Sequence, residues 1–367
     1  MLRSWDESGG IGVYTRNLVQ ELLRIDDRNQ YVLLYRDAVH LGRFASHANV
    51  TERVVRAPNK ALWDQIAIPY ACWREKIDVL FHPKFTAPLL APCKVVMVVH
   101  GADWFIPEQA QYYGWLDVAY IKAMMPLYFR KAAVVLSVSR LTTDAFQRVL
   151  QLPPGKIRTV YFAPARHFER ITDQDTLRSV RERYSLPEAF ILTLTKVGGD
   201  RRKNFGRTLE AYARYHERPE VPHKLVIGGK NCHLLRRQYG IPDDGYGRDV
   251  LFPGWIDQED LPAVYSMADL YLYPSNLEAF PIPVVEAMAC GTPLITSDRN
   301  GLQEIAGDVA IFVNPDDPNE IAQAIAQVLS DPDLQGVLSE RGLTRAKEFN
   351  WEKCAHETLS ILEGVAG

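Results

Sequence analysis

The sequence predicts an α/β protein with two doubly wound parallel sheets, and three observations support this class. Short runs rich in β-branched or aromatic residues alternate with longer amphipathic stretches along the chain. One run, residues 95–99, is apolar on both faces, as expected of a buried parallel strand. The chain has 367 residues, which is long for one domain and comfortable for two.

The predicted elements follow a regular strand–helix order. In the first half, strands are predicted at residues 31–35, 79–82, 95–100, 134–139 and 156–161. In the second half, they are predicted at residues 190–195, 223–229, 250–252, 270–273 and 294–296. Helices are predicted over about 13–24, 108–131, 205–216, 257–268, 283–290 and 346–362, and a further helix opens at Ser139.

Polar residues 168–185 indicate a crossing between two domains. We therefore expect an N-terminal domain over residues 1–172 and a C-terminal domain over residues 173–348. A last helix, within residues 349–367, is expected to cross back to the N-terminal domain.

Composition indicates a soluble globular protein of a reducing compartment. Hydrophobic residues make up 47% of the chain and charged residues 24%, and no apolar run reaches the length of a membrane-spanning helix. No secretory signal opens the chain. The five cysteines are scattered and never form a C-x-x-C pair, which argues against structural zinc. We expect a cytoplasmic protein.

Charge is unevenly distributed along the chain. Residues 1–160 contain 20 Lys and Arg against 14 Asp and Glu, whereas the remainder contains 22 against 31. A basic first half is typical of a domain that meets something anionic.

Two glutamates flank a pair of prolines in the second half. Pro281 and Pro283 prevent a helix from running through Glu278, but a helix can begin at Pro283 and place Glu286 in its first turn. Ile282 is a poor N-cap, so the amides that follow, including that of Val285, are predicted to be available to a phosphate.

This pattern resembles a known family of enzymes. Glu278 and Glu286 are separated by seven residues, with Phe280 between them and Ala-Met-Ala-Cys-Gly-Thr-Pro after them. The arrangement resembles the E-x7-E region of the retaining glycosyltransferases of family GT4. Arg202, Lys203 and Asn204 resemble the basic signature of the same family. The resemblance covers nearly the whole chain and implies the GT-B fold, in which two Rossmann-like domains face a cleft.

The resemblance also implies a role for each matched residue. Glu278 would lie against the transferred sugar near His100, and Glu286 would accept hydrogen bonds from the ribose hydroxyls. Arg202 and Lys203 would stabilise the diphosphate leaving group. The remaining donor contacts would come from the glycine-rich loop before the first helix, the strand end before residue 257 and the glutamate segment: Gly10, Gly12, Trp255, Ile256, Phe280, Ile282 and Val285. His82, at another strand end, is a candidate on the acceptor side.

The sequence departs from the family at two places. Relatives begin with a hydrophobic strand before the glycine-rich loop, whereas this chain starts Met1-Leu2-Arg3-Ser4-Trp5. Either the true start lies upstream or the sheet tolerates a gap. Ala279 and Pro281 stand where many relatives carry glycines, and Pro281 lacks an amide that could meet the sugar.

The expected activity is retaining transfer of a hexose from a nucleotide sugar to a polysaccharide or glycolipid. A UDP-hexose such as UDP-glucose is favoured, and GDP-mannose is compatible. No metal or other cofactor is expected, because the Asp243-Asp244 and Asp316-Asp317 pairs are typical of turns or caps. The alternatives are a nucleotide-sugar epimerase of the same fold and a non-catalytic sugar-nucleotide-binding protein.

Residues 108–131 combine aromatic and basic side chains. Such a helix can hold a protein at a bilayer surface. The preferred interpretation is an amphipathic domain helix, and peripheral association with the inner face of a membrane is the alternative.

Overall fold

The structure, a computed structural model, describes residues 10–219, 222–299 and 301–367, without the side chains of residues 108 and 109. The chain divides into two compact units: unit 1 is Met1–Ala163 with Asn350–Gly367, and unit 2 is Pro164–Phe349. The predicted α/β class with parallel sheets is confirmed in both units. Of the helices within the described ranges, none combines the length and the hydrophobicity needed to span a bilayer.

Unit 1 contains six strands and the helices that connect them, counted over its described residues. The strands are β1 (Tyr31–Tyr35), β2 (Val50–Val54), β3 (Val79–His82), β4 (Lys94–Val99), β5 (Val134–Ser137) and β6 (Ile157–Thr159). The helices are α1 (Gly10–Ile25), α2 (Lys60–Leu62), α3 (Ile68–Arg74), α4 (Pro107–Ala110), α5 (Trp115–Lys131) and α6 (Arg140–Leu150), with the C-terminal helix of the chain, Trp351–Ala366. A π-helical turn, Trp63–Ala67, joins α2 to α3.

The strands of unit 1 form two parallel sheets. β3-β4-β5-β6 is a four-stranded sheet, and β1-β2 is a separate pair. Between them lies a cavity of about 410 Å³, lined by both β1 and β3 and covered by α1 and the C-terminal helix. The glycine-rich loop predicted over residues 8–12 needs correction, because Gly10–Gly12 already belong to α1. Residues 8 and 9, and the question of a preceding strand, lie outside the described residues.

The C-terminal helix packs on α1 within unit 1. Trp351 is buried against Tyr14 and Phe162, with ring centroids 6.0 and 5.8 Å away. At the surface, Arg24 pairs with Glu352 at 3.2 Å. The last helix of the chain therefore completes the apolar packing of the first.

Unit 2 is built around one six-stranded parallel sheet. Its strands are β7 (Phe190–Leu194), β8 (Lys224–Gly228), β9 (Val250–Gly254), β10 (Leu270–Tyr273), β11 (Leu294–Ser297) and β12 (Ile311–Val313), in the order β12-β11-β10-β7-β8-β9. Its helices are α7 (Gln174–Tyr184), α8 (Phe205–His216), α9 (Leu234–Gln238), α10 (Leu261–Met267), α11 (Ile282–Ala289), α12 (Gly301–Ala306), α13 (Pro318–Leu329) and α14 (Pro332–Ala346), and the C-terminal helix of unit 1 is α15 (Trp351–Ala366). The order reverses between β7 and β10, which is the kind of point where open α/β sheets bind ligands.

Several predicted boundaries need correction. The helix predicted over 108–131 is two helices, α4 and α5, because Gly114 caps a new start. The helix predicted from residue 257 begins at Leu261, because residues 257–260 form a turn in which the amide of Asp260 donates to Asp257. The C-terminal helix begins at Trp351 rather than near residue 346, because Asn350 caps it.

Candidate functional site

Two loops at adjacent strand ends of unit 2 carry three of the four predicted catalytic residues. β7 and β10 pair in parallel, so the loops that follow them leave the sheet side by side. The loop after β7 carries Arg202 and Lys203, and the loop after β10 carries Glu278. A backbone hydrogen bond of 2.9 Å from the Asn276 amide to the Arg202 carbonyl joins them.

Glu278 forms an ion pair with Arg202. The side chain of Glu278 is buried, and its Oε2 lies 2.9 Å from Nη1 of Arg202. Tyr273 donates its hydroxyl to Oε1, and the hydroxyl of Ser275 lies 3.3 Å from the same oxygen. Arg202 also donates to the Leu277 carbonyl at 2.8 Å. The loop carboxylate is therefore ionically paired and fixed in direction.

Lys203 is half-buried next to this pair. Nζ donates to the Leu194 carbonyl at 2.8 Å and lies 5.5 Å from the ring centre of Tyr273. Burial lowers the pKa of Lys203 to about 8, although the negative charge of Glu278 opposes this shift. A lysine in this state can stabilise an added anion strongly, because the site is poorly screened by water.

Glu286 differs from Glu278 in its environment. It is buried in α11, and the hydroxyl of Tyr265 donates to its Oε2 at 3.1 Å. Burial raises the pKa of Glu286 to about 7, with the Tyr265 hydrogen bond and the charge of Lys203 opposing the rise. Glu278 is therefore held in an ion pair with an arginine, whereas Glu286 is held by a hydrogen bond from a tyrosine hydroxyl.

The start of α11 departs from the prediction in two ways. The helix begins at Ile282, with Pro281 in the N-cap position, so Glu286 lies just beyond the first turn. The amides of Val284 and Val285 both donate to the Pro281 carbonyl, at 3.0 and 3.4 Å, and are therefore not free for a phosphate. A turn around Pro281 tightens this helix end, so the first-turn amides are satisfied within the backbone.

Asp200 organises the basic loop, a role that sequence reasoning missed. Its buried carboxylate accepts hydrogen bonds from the Gly198 amide at 2.8 Å, the Gln238 amide group at 2.9 Å and the Tyr239 hydroxyl at 2.6 Å. At the far end of the loop, Asn204 adopts a left-handed conformation with φ 60°. In the sequence, only the basic residues beside Asp200 marked this loop as functional. The role of Asp200 itself was hidden, because its side-chain partners Gln238 and Tyr239 lie about forty residues away.

A second missed feature is a close backbone approach at the ends of β7, β8 and β9. Gly229 has φ 143° and donates its amide to the Gly254 carbonyl at 2.8 Å. A Cβ atom at Gly229 would lie 1.8 Å from the carbonyl oxygen of Thr195, so only glycine fits. The Gly228-Gly229 pair in the sequence was the available signal.

The remaining candidates of unit 2 divide into exposed and buried side chains. Trp255 is 54% exposed after β9, whereas the next residue, Ile256, is buried against Gly228. Phe280 packs edge-on against Phe349, with the ring centroids 5.8 Å apart. Val285 is fully buried, and Ile282 is half-buried. Of this group, Trp255 presents the most side-chain surface to a ligand.

The other predicted residues lie in unit 1. His100 follows β4 directly, its Nε2 lies 3.0 Å from the Pro83 carbonyl, and its ring stands edge-on to Tyr14 at 5.1 Å. Gly10 is the first residue of α1, and Gly12 is buried in the same helix. His82 is fully buried beside Asp64, with 4.0 Å between Nε2 and the carboxylate. The structure thus groups Glu278, Arg202, Lys203 and Glu286 in unit 2, and His100 with the α1 glycines in unit 1.

Comparison with known proteins identifies the family. Residues 8–162 match the family model Glycosyltransferase Family 4, and residues 181–345 match Glycosyl transferases group 1. The O-antigen chain mannosyltransferase B of Escherichia coli is 25% identical over 77% of this chain and 77% of its own length. A GDP-mannose-dependent alpha-(1-6)-phosphatidylinositol monomannoside mannosyltransferase of Mycolicibacterium smegmatis is 26% identical over 94% of this chain and 91% of its own.

The fold is also that of solved enzymes of this type. Sucrose-phosphate synthase of Thermosynechococcus elongatus superimposes with a TM-score of 0.75 at 22% identity, covering 97% of this chain and 94% of that one. The two family models cover most of the chain between them, in the order of the two units. The chain therefore belongs to the GT4 family, the group 1 glycosyl transferases, and is a glycosyltransferase of the GT-B fold.

Proposed function

We propose that the protein transfers a hexose from a nucleoside-diphosphate sugar to a glycan or glycolipid with retention of configuration. The observation that supports this most directly is the cluster at the ends of β7 and β10. Arg202 and Lys203 place two cations there, and Glu278 places a fixed carboxylate 2.9 Å from one of them. Cleavage of a sugar–diphosphate bond leaves negative charge on the phosphate and positive character at the anomeric carbon. The cluster offers a partner to each.

We assign the two glutamates different tasks. Glu286, partnered by Tyr265, accepts hydrogen bonds from the ribose hydroxyls through its carboxyl oxygens. Glu278 lies against the transferred sugar and favours the charge that develops there. Trp255 and the strand end after β9 lie against the base.

The proposed donor is GDP-mannose. The names of two relatives support mannosyl transfer, and one of them, which covers 94% of this chain, is named as GDP-mannose-dependent. This reverses the preference for a UDP-hexose that the motifs alone suggested, because the motifs contain no feature that distinguishes the bases. UDP-glucose remains the comparison donor.

The proposed reaction needs no metal ion, because Arg202 and Lys203 supply the positive charge that a metal would otherwise bring. We expect EDTA-treated protein to hydrolyse or transfer the donor sugar at its full rate. Loss of activity with EDTA that only Mg²⁺ or Mn²⁺ restores would contradict the assignment of the diphosphate to these two side chains.

A donor panel tests the function. The full chain is incubated with GDP-mannose, UDP-glucose and other nucleotide sugars, with a soluble glycan acceptor, and the products are separated and their anomeric configuration read by NMR. A bound donor at 100 times its Kd should also stabilise the protein by ~2.7 kcal/mol. Release of GDP with an α-mannoside product supports the proposal. An isomerised donor would indicate an epimerase, an inverted product would exclude retention, and binding without turnover would indicate a sensor.

A further inference from the structure

Unit 1 carries an exposed row of large apolar side chains on the helical segment from residue 60 to residue 74. Leu62, Ile66, Tyr70 and Trp73 recur at helical spacing and are 43%, 53%, 59% and 66% exposed. The opposite side of the same segment is core, since Trp63 and Ile68 are fully buried. The helix therefore buries one apolar side and leaves a second apolar side in solvent. An exposed apolar patch of this kind marks an interaction site.

The next element extends this row into a surface. Gln65 donates to the Ala87 carbonyl at 3.2 Å and accepts from the Leu89 amide at 2.8 Å, which fixes the loop 86–91 beside the helix. The tip of that loop, Leu90, is 66% exposed. Ile66 and Leu90 therefore project from two elements that are hydrogen-bonded to each other.

Helix α5 adds a third element. Lys131 of α5 donates to the Ala91 carbonyl at 2.6 Å, so α5 is tied to the other end of the same loop. The hydroxyls of Tyr120 and Tyr128 are 3.2 Å apart. The pKa of Tyr128 is raised by burial, by Tyr120 and by the charge of Asp64 in the segment 60–74. Leu116, Tyr120 and Leu127 are 63%, 57% and 41% exposed along one side of α5. We call the exposed apolar side chains of these three elements the apolar face.

Charge around the apolar face is strongly positive, although the whole chain is negative. Segments 56–76, 83–94 and 115–131 contain nine Lys and Arg and three Asp and Glu. Of the three acids, Asp64 is buried, and Glu75 is paired with Arg53 and Arg74 at 3.1 and 2.8 Å. Of the nine cations, Lys84 is buried and Arg74 belongs to that ion pair, which leaves seven cations against one exposed acid, Asp117. The formal net charge of the chain is −3. A local excess of cations around exposed aromatic and aliphatic residues complements a layer of anionic headgroups over hydrocarbon.

We propose that the apolar face docks unit 1 onto an anionic lipid bilayer. Aliphatic side chains such as Ile66, Leu90 and Leu116 enter the acyl region. Trp73 and Trp115, which are 66% and 77% exposed, lie at the headgroup level, where aromatic rings concentrate in membrane proteins. The surrounding lysines and arginines contact lipid phosphates. The inference goes beyond the proposed transfer reaction and does not depend on it.

Vesicle binding by the full chain tests the proposal. We expect the protein to sediment with vesicles of phosphatidylcholine and phosphatidylglycerol, to bind pure phosphatidylcholine less, and to lose binding as salt is raised. The variant Ile66→Ser/Leu90→Ser/Leu116→Ser should lower the partition coefficient by about tenfold or more. A matched control, Val149→Ser/Leu234→Ser/Val337→Ser, removes three apolar side chains that are 46%, 50% and 46% exposed elsewhere and should bind as the unaltered protein does.

A second measurement reports contact itself. Brominated lipids should quench tryptophan fluorescence, and Trp73→Phe/Trp115→Phe should retain most of the binding but lose most of the quenching. Binding to neither vesicle, or equal loss in both serine variants, would overturn the proposal. So would a dimer in solution that the Ile66→Ser/Leu90→Ser/Leu116→Ser variant converts to a monomer, because the face would then be a contact between copies. Hydrolysis of a soluble donor should be unchanged in that variant, which separates this test from that of the transfer reaction.

Discussion

Arg202 and Lys203 are adjacent in sequence but carry their charges in different settings. Arg202 is ion-paired with Glu278 at the surface of the loop, whereas Lys203 bonds to a backbone carbonyl beneath it. A bound diphosphate would compete with Glu278 for the guanidinium of Arg202. It would also give the ammonium of Lys203, which now donates to a neutral carbonyl, a hydrogen-bonded partner of opposite charge. Both side chains would therefore stabilise the bound diphosphate. This stabilisation should be strongest in the transition state, when negative charge develops on the leaving phosphate.

Replacing Arg202 and Lys203 together with alanine should lower kcat/KM for the donor by on the order of a hundredfold or more. Arg201→Ala is the matched control, since Arg201 is an exposed cation on the same loop. Steady-state kinetics on both variants, with circular dichroism to confirm folding, gives the comparison. Equal activity in the double variant and the control would show that the diphosphate lies elsewhere.

Substitutions of Glu278 and Glu286 should change different kinetic constants. Glu286→Gln should mainly raise KM for the donor, because a ribose contact is similar in the ground and transition states. Glu278→Gln should mainly lower kcat, because the charge is needed as the anomeric carbon becomes cationic. Nucleoside diphosphate affinity, measured by calorimetry, should fall only in Glu286→Gln. The reverse pattern would exchange the two assignments.

Glu286 should also make stability depend on pH. Its pKa is raised from 4.5 to about 7 by burial, so the folded state binds a proton more readily than the unfolded state between these values. The resulting stabilisation is complete below the unfolded pKa and is lost as pH rises through 7. Urea midpoints should therefore fall between about pH 5 and about pH 8 and fall less steeply in Glu286→Gln. The exposed Glu259→Gln serves as the control, and parallel curves for all three proteins would refute the raised pKa.

At the level of single residues, the sequence predicted the charged groups of unit 2 but not the residues that hold them in place. Arg202, Lys203, Glu278 and Glu286 stand out as a motif, and the structure groups them in unit 2. Tyr265 in α10 and Tyr273 in β10 do not stand out, because a tyrosine within a helix or strand is ordinary core until its hydroxyl is seen to meet a carboxylate. The prediction that the amides after Pro281 are free was wrong, because those of Val284 and Val285 donate to the Pro281 carbonyl. This turn depends on backbone geometry, which the residue types alone do not show.

Among the elements, the loop between β7 and α8 depends on Asp200. Its carboxylate ties the loop to α9 and the residue after it, through Gln238 and Tyr239, and so sets the direction of the following Arg202 and Lys203. Three hydrogen bonds to one buried carboxylate fix the backbone more firmly than the loop could alone.

Asp200→Ala should leave three donors without their acceptor and destabilise the protein by about 1–3 kcal/mol. It should also raise KM for the donor, because the cations of the loop lose their alignment. Tyr239→Phe removes one of the three donors and should give a smaller effect of the same sign. Asp243→Ala, at a side chain that is 98% exposed, is the control. If thermal denaturation and kinetics showed no grading from Asp200→Ala to Tyr239→Phe, the loop would be held by other contacts.

Buried strands were predicted more accurately from the sequence than exposed ones. The predicted strands at residues 31–35, 79–82 and 270–273 agree with β1, β3 and β10 to the residue, because they are compact apolar runs. β2 was missed because Val50–Val54 carries Thr, Glu and Arg and is nowhere fully buried. β12, a strand of three residues, was also missed. The part of the apolar face on residues 60–74 was missed because that segment contains Asn-Lys at its start, a π-helical turn and a proline, which hide the period. The part on α5 was noticed in the sequence as an aromatic and basic stretch.

For the molecule as a whole, sequence order and structural grouping differ at the C-terminus. The chain runs through unit 1, then unit 2, and its last eighteen residues return to unit 1. The resemblance to the GT4 family led us to expect such a return by the last helix. What it could not show is the contact that holds the helix, because Tyr14, Phe162 and Trp351 are separated by most of the chain.

Trp351 should therefore control the stability of unit 1 although it follows unit 2 in sequence. It is 2% exposed and packs against Tyr14 and Phe162, so Trp351→Ala should remove about 3–5 kcal/mol of stabilising contact. The loss should be local to one unit. Hydrogen exchange followed by mass spectrometry should show faster exchange in α1, β4 and α15 and nearly unchanged exchange in β7, β8 and β10. Trp73→Ala, at a tryptophan that is 66% exposed, should alter neither group. Faster exchange confined to α15 would mean that the last helix only rests on unit 1 and is not part of its core.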